Sequence, residues 1–247
     1  MNQKIQEFKE WLSKPFGQTI LQEEKNHLKP FWKRVLGTSI VLLGNLGQKD
    51  LLTDCPSTHK ILISPNREKS KTLKVIHAEF ELLPIEPDTV DTILLPHALE
   101  LAQDPYQVLR AMEVALRPDG HVIIIGFNPI SLIGLKKIIT FNSGAPWSGT
   151  KFRCAWRVKD WLHLLNFEVI KQRRFFYRIP MTSGELYNRF HFLDKIGRLI
   201  FPFFSGVYII MAKKNIFSMT PVKSKWHRLP TVVNGSIQPV RNEVRSE

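Results

Sequence analysis

Four short, mainly apolar runs constrain this chain more than any other feature of its sequence. They are Ser39–Leu43, Lys60–Ile63, Val90–Leu95 and His121–Ile125. Each is continuous rather than alternating. A strand with one wet face alternates polar and apolar residues, whereas a strand covered on both faces does not, so these runs read as central parallel strands. The segment between the last two supplies the crossover. Asp104 caps a helix, Pro105 occupies its first turn, and Gln107 stands three residues after the cap. Val108, Leu109, Met112, Ala115 and Leu116 give that helix one apolar face. Arg117-Pro118-Asp119-Gly120 then turns the chain into the next strand. A strand, a capped helix and a strand at this spacing form a βαβ unit with a right-handed crossover. The fold class predicted is α/β, with a mostly parallel central sheet and helices on both faces.

The flanking segments are read around that centre. Residues 1–38 form an N-terminal helical segment that packs against the main domain, with Ile5, Phe8, Trp11 and Leu12 at helical spacing. Pro15-Phe16-Gly17 interrupts it, and a second helix runs from Gln18 to His27, with Ile20 and Leu21 apolar and Glu23, Glu24 and Lys25 solvated. After Phe127 the pattern loosens. Ile130 to Phe141 is apolar around Lys136 and Lys137, Asn142 to Lys151 is a loop, and Arg157 to Leu165 is a helix. A strand starts at Val169-Ile170 and continues through Arg174 to Arg178, and Val207–Ala212 is the last strand. The main domain thus spans 39–215, and 216–247 reads as a basic, flexible tail.

Composition narrows the class. Hydrophobic residues make up 43% of the 247, enough for a substantial core. Cys55 and Cys154 are too few and too far apart for a zinc site or a disulfide framework. The polar start lacks the apolar stretch of a signal peptide, and no apolar run reaches the ~18 residues of a membrane span. These features predict a cytoplasmic protein. The net charge of +13 is concentrated in part toward the end of the chain. It is compatible with nucleic acid as a partner, although no binding motif accompanies it.

The stretch Leu83-Pro84-Ile85-Glu86-Pro87-Asp88-Thr89-Val90-Asp91-Thr92-Ile93-Leu94-Leu95-Pro96-His97-Ala98-Leu99-Glu100 resembles the corresponding piece of class I S-adenosylmethionine (SAM)-dependent methyltransferases of the type 11 kind. Asp104-Pro105 to Gly126 is similar to the family's next helix and strand. Trp11-Leu12, Pro15, Gly17 and Glu23, with Phe127-Asn128-Pro129 and Ser131-Leu132, resemble an uncharacterised bacterial subgroup. The resemblance implies a Rossmann-like fold, SAM as cofactor, and a site beyond the carboxyl ends of the strands.

Carried onto this chain, the first-strand turn is Gly44-Asn45-Leu46-Gly47, with Gly44 and Gly47 retained. Leu42 stands where the family has an acid, and Leu46 and Gln48 stand where it has further glycines. The family's ribose-binding acid at the end of the second strand is absent from Ile61–Asn66, leaving Ser64 or Asn66 to make a neutral contact. Losing a charge-assisted bond there costs about 1–2 kcal/mol, or about tenfold in affinity. Glu79, with Phe80 beside it, is the candidate for the adenine edge, against a plain reading as a solvated glutamate. Pro96 and His97 fall at the mouth of the site. His97 is the candidate catalytic residue, facing the methyl donor or acting as a base, against a plain reading as a polar strand-end residue. His77, His163 and His191 have no ligand spacing, and no metal site is expected.

Ile130–Ile139 lies where family members often carry a substrate lid, and Leu199–Phe204 is a second apolar stretch. The two either line a pocket for a lipophilic acceptor, rest on a membrane surface, or belong to the core. Three functions follow. The first is methylation of a small or lipophilic acceptor. The second is a binding or scaffold role on a degenerate methyltransferase fold. The third is association with nucleic acid.

Overall fold

A computed structural model describes residues 2–44, 46, 51–66, 70, 73–139, 150–177 and 202–215. All belong to one compact unit, Met1–Ile216, and Phe217–Glu247 lies outside the described residues. The predicted tail, the end of the strand at Arg178, most of the loop from Asn142, and Asn45 and Gly47 therefore lie outside them as well.

Seven strands form one sheet: β1 (Ser39–Leu43), β2 (His59–Ser64), β3 (Lys74–His77), β4 (Val90–Pro96), β5 (Leu116–Phe127), β6 (Phe167–Phe175) and β7 (Val207–Lys214). Their order is β3-β2-β1-β4-β5-β7-β6, with β1 to β5 parallel and β7 antiparallel to both neighbours. Successive strand residues point to opposite faces. Ile40, Val41, Leu42 and Leu43 are all fully buried, so both faces of the sheet are covered there, as the unbroken apolar runs predict.

Helices α1 (Asn2–Ser13) and α2 (Pro15–Trp32) precede the sheet. The short α3 (Ala98–Leu101) and the longer α4 (Pro105–Ala115) fill the crossover from β4 to β5. Asp104 caps α4 by accepting from the backbone N–H groups of Tyr106 and Gln107. Helices α5 (Leu132–Ile139) and α6 (Ala155–Leu164) follow β5. The second helix is longer at both ends than its periodicity suggested. Pro15 sits in its first turn, where its missing N–H costs nothing.

One reading of α2 is corrected. Glu24 is not solvated beside Glu23 and Lys25 but completely buried. It lies on the buried stripe of Gly17, Ile20, Leu28 and Phe31, spaced so that all share one helical face. That stripe joins the common core. Phe8 and Trp11 of α1 meet Phe127 at the end of β5 edge-on, with centroids 6.1 and 5.9 Å away.

The opposite end of the sheet is fastened by Asp91. Its Oδ2 accepts from the N–H groups of Thr38 and Ser39 and from the Ser39 hydroxyl, at 2.8–3.0 Å. Its Oδ1 pairs with Arg117 at 2.9 Å. Partial burial opposes its ionisation, but the Ser39 donors and Arg117 together hold the carboxyl below its ordinary value. Asp91→Ala is expected to cost about 2 kcal/mol, read as a lower urea midpoint. Because the folded-state pKa is depressed, this contribution is present above the unfolded carboxyl value and is lost as pH falls through the folded one.

Candidate active site

Parallel strands place ligands beyond their carboxyl ends, where the order reverses direction. Here that point lies between β1 and β4, and the residues after them build the site. Gly44 follows β1 at φ +93°, a conformation that side chains disfavour. Its N–H still reaches the Ile63 carbonyl at 2.8 Å, extending the β1–β2 ladder by one residue. A Cβ on Gly44 would approach the Phe80 ring to 3.3 Å. Gly44 and Phe80, two residues chosen from the sequence, are thus brought together.

The others are placed less directly. Ser64 is buried, and its hydroxyl accepts the Asn66 N–H at 3.3 Å across its own turn. The side chain of Glu79 is exposed. Its neighbour Glu81 accepts from the N–H groups of Gln103 and Asp104, tying the loop after β3 to the start of α4. Pro96 is the last, buried residue of β4.

His97 is the centre of an arrangement the sequence reading did not contain. It sits at φ +56° and is fully buried. Its Nε2 lies 2.7 Å from Oε1 of Glu24, and its Nδ1 lies 3.0 Å from Oε2 of Glu100. The ring stacks on Phe127 with centroids 4.2 Å apart, and Phe8 meets it edge-on. Oε1 of Glu100 accepts the Phe127 N–H. Burial alone would lower the imidazole pKa. The two carboxylates outweigh it and raise the value to about 10. The ring is therefore an imidazolium donating from both nitrogens. Burial pushes the Glu100 carboxyl up, against the pull of His97 and the Phe127 N–H.

Both ring nitrogens are engaged, so neither is directed at a substrate proton. His97 instead joins α2, the end of β4 and the end of β5 in one ionic cluster. Glu24 is the member of this cluster that sequence reasoning missed. The signal was present, because an acid on the apolar stripe of a helix needs a buried partner.

Beside this cluster lies a cleft of about 260 Å³. Pro129, Gly134, Ile138 and Phe152 supply its apolar wall, and Lys137, Thr150 and Lys151 its polar groups. Phe152 packs on Phe127 with centroids 5.2 Å apart, and the Lys151 N–H donates to the Glu100 carbonyl at 2.9 Å. The cleft therefore backs directly onto the ionic cluster. Lys137 Nζ donates to the carbonyl and hydroxyl of Thr150 and stands 4.2 Å from the Phe152 ring centroid. Burial lowers its pKa, helped by Arg153 and opposed by Glu100. Gly134 is required for close approach, because a Cβ there would collide with the Pro129 carbonyl.

The family model described as "Methyltransferase domain" matches residues 46–124. The uncharacterised protein YafS of Escherichia coli K12 is 31% identical over 166 residues, which is 67% of each chain. This chain belongs to the class I SAM-dependent methyltransferases. Its fold is similar to a SAM-dependent methyltransferase of Thermotoga maritima, described as a possible histamine N-methyltransferase. The TM-score is 0.59 at 13% identity, covering 80% of this chain and 92% of that one. A SAM-dependent methyltransferase from Archaeoglobus fulgidus gives a TM-score of 0.56 at 18% identity, covering 78% and 94%. The demethylmenaquinone methyltransferase of Bacillus mycoides is 28% identical over 94 residues, 37% of this chain and 40% of that one.

The residues of this methyltransferase fit the cofactor at Gly44, which keeps the family's glycine turn at the end of β1 with φ +93°. They depart from the family at the ribose, since β2 ends without a carboxylate and the Ser64 hydroxyl is turned toward the Asn66 N–H.

Proposed function

We propose that this methyltransferase transfers the methyl group of SAM to a small lipophilic acceptor held in the cleft between α5 and residues 150–152. The observation that carries this reading is the cleft itself. It is apolar on one side, carries two lysines, and lies against the cluster at the carboxyl ends of β4 and β5. A relative acting on demethylmenaquinone, a lipophilic acceptor by name, is consistent with it.

SAM, when bound, supplies a methyl carbon on a positively charged sulfur. The protein's task is then largely positioning, which is worth several kcal/mol of barrier. Gly44, Ser64, Glu79, Phe80, Pro96 and His97 bound the cofactor side of the site, to which the sequence assigns Asn45 and Gly47 as well. His97 acts as a positioning residue, holding α2 and the ends of β4 and β5 in one geometry. Lys137 and Lys151 orient an electron-rich oxygen on the acceptor, and the Phe152 ring packs against its apolar part.

Calorimetric titration with SAM tests the reading first. A dissociation constant below about 100 µM is expected, and absence of heat at millimolar SAM sinks it in favour of a scaffold role. That rival is favoured by Leu42 and by the lack of an acid in Ile61–Asn66. Lys137→Met is expected to lower kcat/KM for a phenolic or quinol acceptor by about tenfold, the effect of losing one charged hydrogen bond, with SAM affinity unchanged. Nucleic-acid association rests on net charge alone.

Among the described residues no helix is long and apolar enough to cross a membrane. Cys55 and Cys154 are both free thiols, as suits the reducing cytoplasm in which we place this enzyme.

A further inference from the structure

A surface helix normally turns its apolar stripe inward. Helix α5 is apolar outward as well. Ile133 and Gly134 face the protein, while Leu132, Leu135, Ile138 and Ile139 face solvent, with Ile138 and Ile139 69% and 73% exposed. Beside it stands the 3₁₀ turn Pro202–Phe204, where Phe203 is 68% exposed and Phe204 is half exposed. Asn128 keeps the two pieces together. Its side-chain amide donates to the carbonyls of Ile130 and Phe203, at 3.2 and 2.6 Å, and its Oδ1 accepts the Ile130 N–H. Ile130 is itself half exposed. The result is one apolar surface held on two elements, well beyond the scattered single residues of an ordinary exterior.

The stretch of chain that carries α5 has charge of one sign. No Asp or Glu occurs between Asp119 and Asp160, while Lys136, Lys137, Lys151 and Arg153 fall in that interval. Lys136 lies at the edge of the exposed stripe of α5 by helical spacing. The guanidinium of Arg174 stands 5.1 Å from the Phe203 ring centroid. Exposed aliphatic and phenylalanine side chains rimmed by lysine and arginine match a bilayer with anionic headgroups. The apolar groups enter the acyl boundary, and the cations meet phosphate. Ile138 belongs both to this surface and to the acceptor cleft, so a lipid-dissolved molecule reaches the cleft from the same side.

We propose that the outward face of α5 and the Phe203-Phe204 turn form a docking surface that seats this methyltransferase reversibly on an anionic lipid bilayer. Docking there needs no cofactor, so vesicle binding and SAM binding can fail separately.

The test is flotation of the full chain with phosphatidylcholine vesicles, with and without about one third phosphatidylglycerol, near 0.1 M salt. Wild type is expected to float with the anionic vesicles and much less with phosphatidylcholine alone. Leu135→Ser/Ile139→Ser and Phe203→Ser, all at exposed positions, are each expected to reduce the bound fraction about tenfold or more. Circular dichroism and SAM binding should stay unchanged. Wild type that fails to float, or floats equally on both vesicles, overturns the proposal. So does undiminished flotation of the variants, which assigns the binding to basic charge elsewhere, the 216–247 segment included. A wild-type dimer that the variants dissociate, without any vesicle binding, gives the surface to a second copy instead. If the variants bind vesicles normally and resist protease as wild type does, the surface is covered by another segment of this chain, and the proposal also falls.

Discussion

Replacing Glu24 with alanine is expected to destabilise the protein by about 3 kcal/mol or more, the usual cost of stranding one partner of a buried ion pair. The substitution removes the carboxylate 2.7 Å from His97 Nε2. An imidazole held between two acids then faces only Glu100, in a site closed to water. The pH dependence distinguishes this from simple loss of packing. In the wild type the folded-state pKa of His97 is raised from 6.5 to about 10. A raised pKa stabilises the fold fully below the unfolded value and loses that contribution as pH rises through the folded one. Wild-type stability should therefore decline between about pH 6.5 and 10, and the elevated Glu100 pKa acts in the same direction. In the Glu24→Ala protein the folded-state pKa of His97 drops back toward 6.5, so that decline should begin in the same region but end at lower pH and be smaller in total. Urea melts at several pH values read both quantities. Parallel pH profiles for the two proteins, with only a constant offset, would refute the ionic account. Glu24→Gln keeps the shape and one acceptor while removing the charge, and is expected to fall between the two.

Gly44→Val carries the second large effect, this time on the cofactor. Gly44 occupies φ +93°, where a β-branched residue is strained. Its added carbon meets the Phe80 ring. Some loss of stability, about 1–2 kcal/mol, comes from the backbone alone. SAM affinity is expected to fall by about a hundredfold or more, because a side chain then occupies the end of β1 where the bare backbone admits the ligand. The double variant with Phe80→Ala separates the two causes. It relieves the packing conflict and should recover part of the stability, while leaving binding impaired. Full recovery of titration heats in the double variant would show that Gly44 matters only for its contact with Phe80.

The sequence was most legible where physical demands were simplest. The inner residues of strands β1, β2, β4, β5 and β7 are buried on both faces, so their apolar runs stood out. Strand β3 escaped notice because Lys74–His77 is four residues long at the sheet edge, half exposed, and framed by charge. At the other edge β6 was recognised at Val169-Ile170, but its register shifts between Val169 and Lys171, which breaks any simple alternation. The site was less legible than the sheet. Gly44 and Phe80 were found from their positions in a family pattern, and the structure brings them together. Glu24 was misread because three charged residues in a row resemble a wet helix face. Its spacing from Ile20 and Leu28 carried the correct information. His97 stood at the expected strand end, but the identity of its partners required the tertiary packing of α2, 73 residues away in the chain.

That long connection bears on where the enzyme begins. A boundary drawn at Ser39 would isolate a segment that looks, by strand count, like a whole catalytic domain. It would also delete the carboxylate facing Nε2 of His97 and the aromatic rings of Phe8 and Trp11 that close over Phe127. Shortened versions made for crystallisation, or fusions that disturb the first two helices, should therefore lose the arrangement at the end of β4 even though every strand remains. In this methyltransferase the leading helices are the missing wall of the room rather than its porch.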